Sequence, residues 1–379
     1  MTITDLPTAS YWRRGDPTGA RSFVDVGPVA LERGGSLPAV TVAYETWGEL
    51  NAARDNAVLV EHALTGDSHV DGPAGPGHAT AGWWDGLVGP GRPLDTERFF
   101  VVASNVLGGC QGTTGPSSEA PDGEPWGRWF PAITIRDQIT VEARLADHLG
   151  IDCWAGVLGG SMGGMRAIEW ATTHPDRVQT CIVLASTAYA TADQIAWCQP
   201  QLLAIRSDPN FHAGDYYQHG VAPLDGLGIA RRIAHVTYRH EGELAERFGR
   251  DAQPGEEPLG RGGRYAIESY LDHHAGKLGA RFDANSYLIL SEAMNSHDVG
   301  RDRGGVAAAL AAFQGNLVVA GVETDRLYPS RLSDEIAALR PGTTLRHISS
   351  RFGHDGFLIE IERVGEIIRE ALEDRPLHP

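Results

Sequence analysis

The sequence predicts an α/β protein built on a mostly parallel β-sheet. Strand-like runs alternate with helical stretches along most of the chain, and several of these runs are apolar at nearly every position. A strand in a parallel sheet is covered by helices on both faces, so its sequence is apolar throughout instead of alternating. The 379 residues suffice for one sizeable core, and a second domain has to be argued from the sequence pattern.

The charge balance argues against two classes of partner. The chain carries 32 Lys and Arg against 49 Asp and Glu, a formal net charge of −17, whereas nucleic acids and anionic membranes reward a basic face. The sequence shows neither a signal peptide nor a run of about 20 apolar residues. Its four cysteines form no CxxC pair. We therefore expect a cytoplasmic protein with buried free thiols; a reactive thiol at Cys110 is the alternative.

The N-terminal part contains the first strands. Residues 22–34 and 38–48 alternate apolar and polar side chains and predict a β-meander, whereas residues 56–64 and 98–109 are nearly continuous apolar runs that predict buried strands. A helix follows over residues 134–150, where Thr134 is a plausible N-cap and Gly150 a stop.

The centre of the chain has the order strand, turn, helix, strand that a parallel sheet uses. The strand CWAGVLGG ends at residue 160, the helix MRAIEWATTH closes at Pro175, and the next strand begins at Thr180. Later, a strand over 316–325, a helix, another strand and an amphipathic helix over 355–374 resume the pattern.

Between these two parts the sheet pattern is interrupted. Residues 190–312 contain helical, Arg- and His-rich segments in an insert far longer than a crossover needs. We therefore predict three parts: residues 1–189 as the first part of the core, 190–312 as a helical lid, and 313–379 as the second part of the core.

A candidate nucleophile lies on the central turn. Ser161 stands in Gly159-Gly160-Ser161-Met162-Gly163, which fits G-x-S-x-G between a predicted strand and a predicted helix. Small neighbours are needed there because the tight backbone leaves no room for side chains. A glycine-rich turn with a capping serine is the alternative, and a phosphate loop is excluded because no Gly-Lys-Ser/Thr follows.

A serine nucleophile needs a base and an acid, which in this arrangement follow it in the order acid, histidine, each after a late strand. Asp325 and His354 fit both the order and the position. A loop acid and a residue at a helix N-terminus are the alternatives for these two. His62, after an early strand, is the main competitor for the base, whereas three histidines of the insert are expected on the surface or the lid: His273, His274 and His297.

Backbone N–H groups must stabilise the oxyanion that forms on the attacked carbonyl. Met162, directly after the nucleophile, supplies one, and Leu64, in the loop after the strand that ends near residue 61, is the best candidate for the other. Asp355 is adjacent to His354, and neighbouring side chains seldom converge on one imidazole nitrogen. We therefore expect Asp355 to contact substrate.

Seven segments, spread over nearly the whole chain and including the insert, resemble the homoserine O-acetyltransferases of methionine biosynthesis. They are HALTGDSH, GWWDGLVGPGRPLDT, NVLGGCQGTTGPSS, GGSMGG, SYLDHHAGKLGARFDANSY, SHDVGR and GHDGFL. The resemblance implies an α/β-hydrolase fold with a helical lid and a homodimer formed largely through the lids. It also implies a two-step reaction in which Ser161 takes an acetyl group from acetyl-CoA and His354, oriented by Asp325, activates the hydroxyl of L-homoserine.

The resemblance further implies two substrate contacts. Arg231 falls where the family places an arginine that binds the carboxylate of homoserine, and Asp355 where it places an acid facing the amine. A zwitterion in a closed tunnel needs one cation and one anion, because an unpaired buried charge is costly. The alternative for Arg231 is a salt bridge within the lid, a role that is also open to the neighbouring Arg232. Arg166 stands where many relatives carry glutamine and either affects donor preference or is a surface change.

Other functions use the same three residues. A succinyl donor or a serine acceptor would keep the family, and water as acceptor would make an esterase, since the first half-reaction is identical. A long lid favours transfer because excluding water protects the acyl-enzyme. A non-catalytic binding module is the remaining alternative. We expect no metal and no bound cofactor, because no HExxH motif occurs and CoA is a co-substrate.

Overall fold

The computed structural model describes residues 11–260 and 262–373. Residues 1–10 and 374–379, which are the two ends of the predicted core, lie outside the described residues. The expectation of no signal peptide rests partly on residues 1–10. Among the described helices, none combines the length and the apolar character needed to cross a bilayer.

The described strands form one large sheet and two short ribbons. The strands are β1 (Ser22–Asp25), β2 (Val29–Ala30), β3 (Ser36–Leu37), β4 (Thr41–Trp47), β5 (Ala57–Glu61), β6 (Val88–Gly89), β7 (Leu94–Asp95), β8 (Phe100–Ser104), β9 (Gly156–Gly160), β10 (Thr180–Leu184), β11 (Asn316–Val322) and β12 (Thr344–Ile348). The ribbons pair β2 with β3 and β6 with β7.

The large sheet has eight strands in the order β1-β4-β8-β5-β9-β10-β11-β12. From β8 to β12 every neighbouring pair is parallel, whereas β4 runs antiparallel to both β1 and β8. The prediction of a mostly parallel α/β sheet is confirmed. The two N-terminal segments predicted as a meander do pair antiparallel, through β1 and β4, and the structure adds a separate ribbon between them in which β2 pairs only with β3.

Helices occupy the connections. They are α1 (Ile135–Leu149), α2 (Met162–Thr173), α3 (Ala192–Arg206), α4 (Tyr216–His219), α5 (Leu224–Tyr238), α6 (Glu241–Phe248), α7 (Ala266–Gly279), α8 (Ala284–Asn295), α9 (Val306–Ala312), α10 (Arg331–Leu339), α11 (Gly356–Ile359) and α12 (Ile361–Glu373). The predicted caps of α1 are present: the Thr134 side chain accepts from Asp137 N–H, and Gly150 has a left-handed backbone.

The sheet separates two apolar layers. Val157 on β9 packs in the layer that contains α1 and α2, whereas the next residue, Leu158, packs in the layer that contains α12. Successive side chains of a strand point to opposite faces, so each buried strand contributes to both layers. This explains why these strands are apolar at every position.

The segment between β10 and β11 contains α3 to α9. The helical stretch at 228–249 forms two helices, α5 and α6, because the backbone between them is extended at Arg239 and His240. The C-terminal helix is likewise divided at Glu360, where the backbone leaves the helical region between α11 and α12. The lid boundaries at 190 and 312 stay a prediction.

The four cysteines are free thiols, as expected. Cys110 and Cys181 are buried, whereas Cys153 and Cys198 are only partly so. Burial raises the pKa of Cys110 to about 12, so this side chain stays a thiol at neutral pH. The alternative of a reactive thiol at Cys110 is therefore unfavourable.

Helix α2 lies unusually close to β5 at the nucleophile turn. A Cβ atom added to Gly163 would lie 2.0 Å from the carbonyl oxygen of Glu61. That oxygen belongs to a backbone held in the sheet by its pairing with β9. Glycine at position 163 is thus required for the approach of the helix to the strand.

We predict that Gly163→Ala destabilises the fold. A methyl group there has no room and must displace the backbone of β5 or α2, at a cost of about 1–3 kcal/mol in the free energy of unfolding. Chemical denaturation of the purified variant measures this. Gly276→Ala in α7 is the control, since nothing lies within 4 Å of its added Cβ, and it should stabilise by about 0.5–1 kcal/mol. Equal stability of Gly163→Ala and the parent would contradict the prediction.

Candidate active site

Ser161 lies at the carboxyl end of the central strand β9, one residue before α2. Its backbone has φ 58° and ψ −123°, a region that non-glycine residues rarely occupy and that costs of order 1–3 kcal/mol. Its amide donates to Leu184 O at 3.0 Å, and its carbonyl accepts from Ser186 Oγ at 2.7 Å. These two hydrogen bonds, one to the last residue of β10 and one to a residue just after it, hold the strained turn in place.

The structure brings Asp325 and His354 together. His354 Nδ1 lies 2.6 Å from Asp325 Oδ2, and both residues are buried. The other carboxylate oxygen, Oδ1, accepts from the backbone amides of Leu327 and Tyr328, each at 2.8 Å. Asp325 follows β11 and His354 follows β12, so two neighbouring parallel strands deliver the pair to the same edge of the sheet as Ser161.

The environment of His354 suits a general base. With Nδ1 assigned as the donor to Asp325, Nε2 is the nitrogen that can accept a proton. Burial alone would lower the pKa of His354, but the charge of Asp325, its hydrogen bond and the charge of Asp355 together raise the pKa above its ordinary value. The ring is enclosed by three aromatic rings, those of Tyr328 at 5.0 Å, Phe357 at 5.4 Å and Tyr238 at 5.7 Å between centroids.

Phe357 places the serine turn next to His354. Its ring packs directly against Gly160, where an added Cβ would lie 2.3 Å from the ring, and against the imidazole of His354. Within the described residues no hydrogen bond joins Ser161 Oγ to His354 Nε2. Such bonds are often long in the absence of substrate and tighten when it binds.

The two predicted oxyanion donors have different surroundings. Met162 is the first residue of α2, so its N–H has no intrahelical partner. Leu64 lines a cavity together with Met165, Tyr238 and Tyr328, and the last of these stacks on His354. The assignment of both residues as donors stays a prediction.

His62 does not fit the role of base. Its Nδ1 lies 2.8 Å from Ala63 O, and its Nε2 accepts from Val106 N–H at 3.1 Å, so both ring nitrogens are engaged with backbone. Burial, with the charge of Arg166, lowers its pKa to about 3. His62 is therefore a neutral side chain that fixes the loop leading to Leu64.

Arg231 contacts Tyr238, which packs beside His354, and Asp355 directly follows His354 in the chain. Arg231 Nε is buried and has no hydrogen-bond partner among the described residues, and its guanidinium lies 5.5 Å from the ring centre of Tyr238. Burial raises the pKa of Asp355, while the charges of His354, Arg239 and Arg231 lower it. Arg232, in contrast, pairs with Asp272 at 2.6 Å, so the lid salt bridge belongs to Arg232.

Sequence analysis missed Arg239. Its Nη1 lies 3.3 Å from Asp355 Oδ2, and it also pairs with Glu243 at 2.8 Å. The residue is buried where α5 ends, in the extended segment that divides α5 from α6. Arg239 reaches Asp355 because the chain is extended between α5 and α6. The periodicity of the sequence did not predict this break and therefore gave no sign of the contact.

Two expectations are corrected. Arg166 is not a surface change, because its side chain is 0% exposed and pairs with Glu61 and Glu142. His297 is not on the surface: it is buried 4.0 Å from Glu169 of α2. His273 is exposed, as expected, and His274 stacks on His235 within the helical insert, with ring centroids 3.9 Å apart.

Comparison with known proteins decides the family. A profile for the alpha/beta hydrolase fold matches residues 56–360. The chain is 60% identical over 374 residues to a homoserine O-acetyltransferase from Thermobifida fusca, a match that covers 98% of each chain. The chain belongs to the homoserine O-acetyltransferase family.

Two solved structures resemble this family member. A homoserine O-acetyltransferase from Bacillus anthracis has a TM-score of 0.86 at 26% identity and covers 94% of this chain and 98% of its own. Esterase E22 has a TM-score of 0.84 at 27% identity and covers 93% and 99%. Transferases and esterases thus share this architecture, and the acceptor has to be argued from the site.

The cavity beside Leu64 has uncharged walls in this homoserine O-acetyltransferase family member. Its fourteen lining residues are Leu64, Met165, Ala190, Gln194, Trp197, Cys198, Gln201, Thr237, Tyr238, Ser291, Met294, Asn295, Leu327 and Tyr328. The helical insert supplies most of them. Such a space suits an uncharged ligand.

A second buried polar cluster consists of Glu45, His69 and His78. The two imidazole rings stack at 3.7 Å with an angle of 12°, so their in-plane lone pairs run parallel instead of converging on one point. His69 Nδ1 lies 2.9 Å from Glu45, and Ala20 N–H donates to His78 Nε2 at 3.0 Å. These contacts fit a hydrogen-bonded brace better than a metal site.

We predict that Asp325→Asn lowers kcat by about 10⁴-fold, since the amide stabilises the wrong tautomer and no longer supports the imidazolium. The neutral imidazole is the base, so kcat/KM of the parent falls as pH drops through the raised pKa of His354. Loss of the carboxylate lowers that pKa, and the acidic limb should move to lower pH. A pH–rate profile tests this.

Asp334→Asn serves as the matched control for Asp325→Asn. Asp334 also lies beside a histidine, His347, at 3.6 Å, but both side chains are about half exposed. Its loss should leave kcat and the acidic limb unchanged. An unshifted limb in Asp325→Asn would contradict the assignment of His354 as the titrating base.

Proposed function

We propose that this enzyme transfers an acetyl group from acetyl-CoA to the hydroxyl of L-homoserine through an acetyl-Ser161 intermediate. The observation that carries the proposal is the pair of opposite charges beside the base. Arg231 offers an unpartnered buried Nε, and Asp355 lies next to His354. A free amino acid carries one carboxylate and one ammonium, so a site of this kind matches a zwitterionic acceptor better than water.

The first half-reaction forms the acetyl-enzyme. Ser161 Oγ attacks the thioester carbonyl of acetyl-CoA while His354 Nε2 takes the hydroxyl proton. The oxyanion is stabilised by the N–H groups of Met162 and Leu64. When the carbon–sulfur bond breaks, the imidazolium returns the proton to the sulfur, and CoA leaves as the thiol.

The second half-reaction repeats these steps with another nucleophile. Neutral His354 takes the proton from the homoserine hydroxyl, the oxygen attacks the acetyl carbonyl, and the same N–H groups stabilise the oxyanion. The imidazolium then protonates Ser161 Oγ as the ester bond to the enzyme breaks. The product is O-acetyl-L-homoserine, and the enzyme is regenerated.

The cavity walls favour acetyl over succinyl as the transferred group. A succinyl group carries a distal carboxylate that needs a cation when it is buried. The described residues that line the cavity beside Leu64 carry no charge. Arg166, which sequence analysis considered for donor preference, is fully buried and already engaged with two carboxylates.

We also infer a homodimer formed through the helical insert. Three aliphatic side chains on α3 and α5 are solvent-exposed: Ile195 at 39%, Leu203 at 48% and Ile229 at 48%. These two helices pack against each other, and exposed apolar side chains on neighbouring helices support an interaction surface there. A second copy of the chain would cover the same patch on both protomers.

The decisive experiment follows the acetyl-enzyme by intact mass. After mixing with acetyl-CoA, the parent should gain one acetyl group, which added L-homoserine removes within the dead time of manual mixing and water removes only slowly. Ser161→Ala should gain none, because no other nucleophile is activated. Succinyl-CoA, run alongside, should label the parent far more slowly.

Three outcomes would contradict the proposal. Equal labelling of Ser161→Ala places the nucleophile elsewhere. Loss of the acetyl group at the same rate with and without homoserine makes the enzyme a hydrolase. Faster labelling by succinyl-CoA than by acetyl-CoA would reverse the assignment of the donor.

We predict that Arg231→Gln raises KM for L-homoserine about 10- to 100-fold, because a charge-assisted bond to a buried carboxylate contributes about 1.5–3 kcal/mol. The rate of acetylation by acetyl-CoA should change little. Arg232→Gln is the matched control, since Arg232 pairs with Asp272 and both side chains are more than a third exposed. Steady-state kinetics of both variants test this, and an unchanged KM in Arg231→Gln would remove Arg231 from the acceptor site.

A further inference from the structure

The mechanism above leaves one buried charge on the nucleophile helix without a role. Arg166 is five residues after Ser161 on α2, and its side chain is fully buried. Its guanidinium pairs with Glu142 of α1 and with Glu61 at the end of β5, and its Nε donates to Glu142 Oε1 at 3.1 Å. One side chain therefore joins α2 to α1 and to β5.

The same guanidinium reaches two further groups at the strand ends. Nη1 donates to the backbone carbonyl of His62 at 3.5 Å, and Nη2 donates to Ser104 Oγ, at the end of β8, at 3.4 Å. Both bonds are long, so the ion pair with Glu61 is the stronger link to this region. Glu61 and His62 are also the first residues of the segment that leads to Leu64.

That segment has few other anchors to the nucleophile helix. The carbonyl of Glu61 packs against Gly163, and His62 is held from the opposite side by Val106. An oxyanion hole works only when its donors both lie about 2.7–3.1 Å from one oxygen. The spacing between Leu64 on the segment and Met162 on the helix therefore depends on what joins the two elements.

The charges of Arg166, Glu61 and Glu142 strengthen the link between α2 and the segment that leads to Leu64. Burial and the charge of Glu142 raise the pKa of Glu61, against the effect of Arg166. Trp170 Nε1 also donates to Glu142 at 2.8 Å. Removing the guanidinium would leave these buried carboxyl groups without a counter-charge, which costs free energy unless the groups take up protons or the surroundings move.

We propose that Arg166 is a positioning residue of the oxyanion hole, which holds the segment from Glu61 to Leu64 at the distance from Met162 that lets both N–H groups reach one oxyanion. The inference rests on the proposed function for the identity of these two donors. A tetrahedral oxyanion forms in both half-reactions, so loss of this position slows acetylation and deacetylation by similar factors. A donor-selecting residue would instead change the ratio between acyl donors.

Arg166→Lys tests the proposal, because an ammonium keeps the charge but cannot bridge both carboxylates and the His62 carbonyl at once. We expect the single-turnover rate constants of acetylation, by acetyl-CoA and by p-nitrophenyl acetate, and of deacetylation by homoserine to fall about 10- to 100-fold each. KM for homoserine should stay within about twofold. The affinity for methylboronic acid, which forms a tetrahedral anion on the serine, should fall by a similar factor.

Arg136→Lys is the matched control. Arg136 also joins α1 to α2, through Glu169 at 3.0 Å, but has no contact with the segment at Leu64. It should lower Tm without changing the rate constants or the boronate affinity. Arg166→Met removes the charge as well and should show larger losses than Arg166→Lys; if it does not fold, Arg166→Lys alone carries the test.

Two results separate the proposal from its premise. If Arg166→Lys lowers only Tm, as Arg136→Lys does, Arg166 merely stabilises the fold and the proposal is overturned. If homoserine fails to accelerate deacetylation in the parent, the acceptor assignment is wrong. The positioning role would still be supported by parallel losses in p-nitrophenyl acetate acetylation and boronate affinity, since neither needs homoserine.

Discussion

The close approach of α2 to the ends of β5 and β9 is the constraint on which the site depends. A helix that begins directly after a strand can expose Ser161 only if the backbone turns sharply, and the turn has room only because glycines surround it. The strained backbone of Ser161 is held by bonds to Leu184 and Ser186. The positions of the proposed base, acid and oxyanion donors are all defined relative to this turn.

Buried charges are paired separately on the two sides of that turn. Behind the proposed nucleophile, the fully buried Arg166 pairs with both Glu61 and Glu142. In front of it, Asp355 contacts Arg239 through one carboxylate oxygen, Oδ2, while Arg231 Nε is buried and has no hydrogen-bond partner among the described residues. Buried charged groups that are paired with each other stabilise the fold, whereas a buried charged donor without a partner can bind a ligand. This difference distinguishes the structural cluster around Arg166 from the proposed binding site.

Most of the proposed catalytic site could be predicted from the sequence, because each of its three residues follows a strand. Ser161, Asp325 and His354 are found after β9, β11 and β12, and the order of strands in a parallel sheet is what brings loop residues of this kind together. Arg239 and the burial of Arg166 could not be anticipated. Their partners lie far away in the chain, 116 residues for Arg239 and Asp355, and arginine is ordinarily a surface residue. A helix break of two residues also leaves no trace in apolar periodicity.

The connectivity of the sheet has a consequence for synthesis on the ribosome. Strand β11 pairs with β10 and β12 pairs with β11, yet the connection of residues 185–315, which contains the helical insert, is made between β10 and β11. Until β11 has been synthesised, β10 has an unpaired edge of five residues that are buried in the folded protein, and an edge of this kind can pair with other chains. Early folding of the insert over that edge, or binding of a chaperone, would prevent such pairing. Acid and base both follow β10, so the nascent chain carries its nucleophile long before it can activate it.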